Sequence, residues 1–150
     1  ADDPRIKDSL LLTAEANLPV IFKLAEGGET HPNTAEFHLT GVSGKVVNIA
    51  GASIGGGRIV INRINDFQVE FTGDYHTLIA IYPDKPGIVA EVTRILAGEN
   101  VNIAFMKVSR RQRGAQALMI LETDHQVPEQ AFAAVHSIAS MESVLLVRPL

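Results

Sequence analysis

Cysteine and tryptophan are both absent from the 150 residues, and aromatic residues of all kinds make up only 5%. Without a thiol there is no disulfide, no thiol nucleophile and no thiolate to hold zinc or an iron–sulfur cluster. No apolar run approaches the roughly 20 residues of a bilayer-spanning helix. Positive charge is not in excess: the net charge is -4 and the pI near 5.7. That balance argues against a nucleic-acid partner. The five histidines, His31, His38, His76, His125 and His136, show no metal-ligand spacing with each other or with a carboxylate, so no metal site is expected. The opening Ala1-Asp2-Asp3-Pro4-Arg5 lacks a signal-peptide pattern, and a cytoplasmic protein is expected. What is present is ordinary for a domain with a buried core: 46% apolar and 20% charged residues, in a length that suits one average domain or two small ones.

The pattern along the chain changes once. Residues 4–16 carry apolar side chains at helical spacing, with Pro4 in the first turn and Asn17-Leu18-Pro19 as the stop. Val20 to Leu24 reads as a strand, and Gly27-Gly28 breaks it. Four short strands follow, near 35–39, 45–50, 58–64 and 67–71, separated by glycine-rich or Asn-Asp turns. This predicts an antiparallel meander packed by the N-terminal helix. Gly73-Asp74 is the expected boundary, giving domains 1–73 and 74–150. Beyond it the order becomes strand (77–82), helix (88–98), strand (101–108), hairpin (110–114), strand (115–122), helix from Pro128, and strand (144–147). That is the βαββαβ, ferredoxin-like order, and the fold class expected for the whole chain is α+β. The strands are apolar on both parities, as in Ile103 to Val108. The sheet face away from the helices should therefore be buried, most simply against a second copy of the chain.

Two regions could carry chemistry. Gly51-Ala52-Ser53-Ile54-Gly55 has the spelling of a nucleophile elbow, but a β-branched strand follows where the elbow needs a helix. The same glycines fail as a dinucleotide fingerprint for the same reason. Ser53, Gly55, Gly56, Gly57 and Arg58 then read either as a hairpin turn or as an anion-binding nest of backbone N–H groups. His31-Pro32-Asn33-Thr34 packs an imidazole, an amide and a hydroxyl around a rigid turn; the alternative is a polar loop. The second region is Asp84-Lys85-Pro86-Gly87. Asp84 is a good N-cap, and the N-terminus of the following helix can hold the carboxylate of a small ligand while Asp84 accepts from its ammonium group. Asn100 and Asn102 offer further amides. The alternative is simple capping. Arg110, Arg111 and Arg113 form a basic hairpin tip, read as a solvated hairpin or a subunit contact.

The second half resembles an ACT domain, the amino-acid-sensing module of many metabolic enzymes, in Asp84-Lys85-Pro86-Gly87-Ile88-Val89 and Asn100-Val101-Asn102-Ile103. The first half carries His31-Pro32-Asn33-Thr34 and Ser53-Ile54-Gly55-Gly56-Gly57, and with it the chain resembles the beta subunits of iron–sulfur-dependent bacterial L-serine dehydratases. The resemblance implies an allosteric substrate-binding-like domain followed by an ACT domain. It implies an amino-acid effector, with L-serine the first candidate, bound by Asp84, Lys85, Pro86, Gly87, Ile88, Asn100 and Asn102. It implies a substrate pocket or subunit contact at His31, Asn33, Thr34, Ser53, Gly55, Gly56, Gly57 and Arg58. The catalytic [4Fe–4S] cluster is expected on a partner alpha subunit, so this chain alone is expected to be inactive. A Ser-Ser-Ser-His-Thr-type segment usual in that family is missing, as in the C-terminal part of a beta subunit. Asp66 stands where glycine usually follows Asn65. The alternatives are the regulatory end of a phosphoglycerate dehydrogenase and a free-standing ACT protein.

Overall fold

The structure, a computed structural model, describes residues 3–24 and 32–149. The chain divides into two compact units, residues 1–32 and 33–150.

In the first unit a 3-10 turn, Pro4–Asp8, leads into helix α1, Ser9–Glu15. Asp3 caps the turn: its carboxylate accepts from the Arg5 backbone N–H at 3.0 Å and pairs with the Arg5 guanidinium. Asn17 takes a left-handed conformation (φ 52°) and closes the helix as the Leu18 N–H reaches the Thr13 carbonyl at 2.8 Å. The helix is shorter than the sequence pattern predicts and buries none of its side chains. Val20–Leu24 is not a strand: no ladder partner meets it among the described residues, and Ile21 and Phe22 are 80% and 81% exposed. Apolar β-formers do not make a strand without a neighbour to complete their hydrogen bonds.

The second unit holds two four-stranded antiparallel sheets. The first is the predicted meander in the order β1 (Thr34–Thr40), β2 (Val46–Gly55), β3 (Arg58–Ile64), β4 (Phe67–Phe71). The β2–β3 register shifts between Ala50 and Gly51, where Asn62 of β3 is the extra residue. There a Cβ on Gly51 would sit 2.8 Å from Ile61 Cδ1 and 3.1 Å from the Val60 carbonyl oxygen, so the close approach of β3 requires glycine. In β4, Phe67, Val69 and Phe71 are buried while Gln68 and Glu70 are exposed, a clean period of two.

The second sheet is built from β5 (His76–Pro83), β6 (Ile103–Arg110), β7 (Gln116–Thr123) and β8 (Ser143–Val147). Helices α2 (Ile88–Gly98) and α3 (Glu129–His136) make the two crossovers. The strand order β6-β7-β5-β8 is the ferredoxin-like arrangement, so the mixed α+β fold is as expected. Leu78, Ala80, Tyr82, Met119 and Leu121 pack with Val92 and Leu96 of α2 and Val135 of α3.

The other face of this sheet corrects an expectation. Ile79, Leu118 and Ile120 are buried against Ile64, Phe67, Val69 and Phe71 of the first sheet. The face assigned to a second copy is covered by the chain itself. Fully burying each such side chain stabilises by about 1.5–3 kcal/mol, which explains why both strand parities are apolar. Apolar exposure remains along β6, an edge strand, where Phe105, Met106 and Val108 are 57%, 50% and 45% exposed.

Candidate functional site

The loop between β5 and α2 turns into the helix on a left-handed glycine. Gly87 is the N-cap of α2, with φ 95°, and no side chain among the described residues caps the helix. Its first turn therefore presents N–H groups and the positive end of the helix dipole without a side-chain acceptor. Asp84 does not serve as the predicted cap. Its carboxylate turns to the β6–β7 hairpin, accepting from the Gly114 backbone N–H and from Arg110 Nη1, both at 3.1 Å. The Gly114 bond, then the Arg110 guanidinium, hold this carboxyl below its ordinary range. Behind the loop lies Tyr82, 2% exposed, whose hydroxyl is buried and has no hydrogen-bond partner among the described residues. Burial, then the Asp84 charge, push its pKa up.

Asn100 and Asn102 are not brought to this loop within one chain. Asn100 closes the C-terminal end of α2, its N–H on the Ala97 carbonyl at 3.1 Å. An 11-residue helix is about 16 Å long, so that end is far from Gly87. The Asn102 amide donates to Asp124 at 2.6 Å, at the opposite end of the sheet from Asp84. In the sequence the two asparagines follow α2 at its C-terminal end, whereas the loop precedes its N-terminus.

In the first sheet the Ser53 N–H donates to the Asn33 carbonyl at 3.1 Å, and Thr34 pairs with Ala52. Asn33, Thr34, Ser53 and the glycine turn thus share one end of the sheet. His31 lies outside the described residues. Gly55, Gly56 and Gly57 have φ of 90°, 63° and 76°. Gly56 and Gly57 form the two-residue turn to Arg58, and Gly55 sits at a register shift. A hairpin with a bulge accounts for all three glycines. No helix follows Ser53, which removes the nucleophile-elbow reading. Asp66 does not take the left-handed conformation its position suggested. Asn65 does (φ 50°), held as its side-chain oxygen accepts from the Asn48 N–H at 3.0 Å.

Sequence reasoning missed the partners of the basic hairpin: Arg110 on Asp84, and Arg111 on Asp66 at 2.9 Å. Only the alternation of β6 hinted at where these side chains would point. Among the described residues no group of three His, Asp or Glu side chains is placed to hold a metal ion. An iron–sulfur cluster is held by thiolates, and this chain supplies none.

Residues 76–140 match the ACT domain family. The sheet with two helices and the glycine-capped loop is that module, so this chain carries an ACT domain. The match to named proteins extends past it into the first sheet. The chain is 31% identical over 127 residues, 85% of its length, to the "Probable L-serine dehydratase, beta chain" of Bacillus subtilis. It is 31% identical over 135 residues, 89% of its length, to the "L-serine dehydratase, beta chain" of Peptoniphilus asaccharolyticus. It spans 57% and 61% of those two proteins. A "D-3-phosphoglycerate dehydrogenase" of Methanocaldococcus jannaschii is 28% identical over 87% of the chain but only 26% of its own length. This ACT-domain chain is a relative of the L-serine dehydratase beta chains, the resemblance its motifs carry.

Proposed function

We propose that the chain is the regulatory and structural portion of a cytoplasmic L-serine dehydratase beta subunit, converting L-serine to pyruvate and ammonia only with a cluster-bearing alpha subunit. The observation that carries this is identity of 31% running across both sheets, not the ACT domain alone. The absence of thiolates supports assigning the [4Fe–4S] chemistry to the partner. The 28% match to a phosphoglycerate dehydrogenase supports the second reading, a regulatory end of such an enzyme, over a smaller share of the whole protein.

In this reading the β5–α2 loop, Asp84 to Ile88, binds an amino-acid effector, with L-serine the first candidate. Its carboxylate lies on the uncapped start of α2. Asn102 joins that site from a second copy. Pairing two β6 edges antiparallel about Met106 sets Asn102 of one copy against Arg110 of the other, beside Asp84, and covers Phe105, Met106 and Val108. The polar end of the first sheet, with Asn33, Ser53 and the Gly55–Gly57 turn, contacts the alpha subunit or its substrate.

The test is co-expression with a cysteine-containing alpha chain, followed by affinity capture and a pyruvate assay. The complex is expected to form and to release pyruvate from L-serine. The chain alone, given iron and sulfide, is expected to release none. Turnover by the isolated chain, or failure to associate, overturns the proposal.

A further inference from the structure

A cleft of about 490 Å³ lies where the β3–β4 turn meets the end of β6. Its lining is Asp66, Phe67, Gln68, Ser109, Arg110 and Arg111. The volume is within the usual range for small-molecule sites. None of these residues belongs to the β5–α2 loop or to the glycine turn of the first sheet.

The lining is amphoteric. Two arginines and one aspartate line it with a serine and a glutamine; Arg111 is paired with Asp66, while the Arg110 guanidinium is turned to Asp84. A simple cation would meet both arginines; a simple anion would meet Asp66. A molecule with a carboxylate and an ammonium group a few bonds apart satisfies both. The charges are also available. Arg111 and Asp66 pair at 2.9 Å, but their side chains are 53% and 65% exposed. So exposed a pair contributes little to stability, and opening it to admit a ligand costs correspondingly little. Arg111 forms bidentate bonds with a carboxylate, and Ser109 and Gln68 add neutral ones.

We infer that this cleft is a second ligand site, for a free α-amino acid, with Arg111 and Arg110 holding the carboxylate and Asp66 the ammonium group. Arg110 also bonds Asp84, so an occupant that draws Arg110 into the cleft loosens the contact between the hairpin and the β5–α2 loop. The lining residues lie outside the β5–α2 loop, with Arg110 as the link to Asp84, and the site does not depend on the dehydratase reading.

The test uses the whole chain and amide-resolved NMR. The twenty α-amino acids are titrated one at a time, and L-serine is compared with ethanolamine and 3-hydroxypropionate, which lack its carboxylate and its ammonium group. At least one amino acid is expected to shift the amides of Asp66, Gln68 and Ser109 to Arg111. Asp66→Asn and Arg111→Gln are each expected to weaken that response by about tenfold, the loss of one charge-assisted bond. The charge swap of Asp66→Arg with Arg111→Asp should restore part of it, which separates binding from misfolding. Shifts confined to residues 84 to 88 support the effector loop and overturn this site. So does a response to either half-molecule as strong as to L-serine, or one unchanged in both single variants.

Discussion

At the scale of single residues, Asp84 and Tyr82 carry the clearest consequences. The native Asp84 carboxyl, held by the Gly114 N–H and Arg110, binds a proton more weakly than in the unfolded chain. Its stabilisation is present above the unfolded value of about 3.9 and is lost as pH falls through the lower folded value. NMR titration of the Asp84 carboxyl should find a midpoint below the ordinary aspartate range. Arg110→Gln should raise it part of the way, since the Gly114 bond survives; an ordinary midpoint in the native protein would contradict the clamp. Tyr82 runs the other way. Its hydroxyl is buried without a partner among the described residues, and burial raises its pKa. The folded state favours the neutral phenol, so that contribution holds below about pH 10 and is lost as pH rises through the folded value. Tyr82→Phe removes an unsatisfied polar atom and should stabilise by about 1 kcal/mol in urea unfolding. A loss of stability instead would mean that the hydroxyl has a partner, such as a bound water.

At the scale of elements, Gly51 of β2 and Gly56 of the turn that follows it are there for different reasons. Gly51 is fixed by its neighbour, because a side chain there would run into Ile61 and the Val60 carbonyl. Gly56 is fixed by its backbone conformation alone, with nothing within 4 Å of a built Cβ. Gly51→Val should cost about 1–3 kcal/mol through overpacking and strand displacement. Gly56→Ala should cost about 1–2 kcal/mol through left-handed strain. Thermal unfolding separates them when combined with Ile61→Ala, which should relieve the Gly51 variant and leave the Gly56 variant unchanged. The hairpin spelling was legible in the sequence. The bulge of β3 opposite Ala50 and Gly51 was not, because it depends on the register of β2 against β3.

At the scale of the whole molecule, the sheet of the ACT domain has helices on one face and the chain's own first sheet on the other. Phe71→Ala, at the contact, should cost about 3–5 kcal/mol. It should also speed hydrogen exchange at Ile79, Leu118 and Ile120 more than at the helix-face residues Leu78 and Met119. Equal acceleration of both sets would mean the sheets do not pack as separate layers. In the proposed assembly, self-association rests on the β6 edge. Light scattering at micromolar concentration should find a dimer, and Met106→Lys, which places a charge on that edge, should shift it toward monomer. A dimer indifferent to Met106→Lys would place the interface elsewhere.

The sequence by itself determined the βαββαβ order, the meander ahead of it, the resemblance to L-serine dehydratase beta chains and the lack of any cluster-binding thiol. Each of these is a local pattern or a composition. β3 and β4 fall on the residues expected, because period-two burial and a turn at Asn65-Asp66 are written in neighbouring positions. Only the tertiary structure decided what covers the second sheet face, where the Asp84 carboxylate goes and which end of the domain holds Asn102. Apolar parity records that a face is buried, but Phe71 on Leu118 and a second copy on Leu118 leave the same spelling. The partners of Asp84 lie on a hairpin distant in the chain, and the helix between Gly87 and Asn100 sets both asparagines at the end away from the β5–α2 loop. Those outcomes depend on strand register and helix length acting together in space, which no spacing along the chain records.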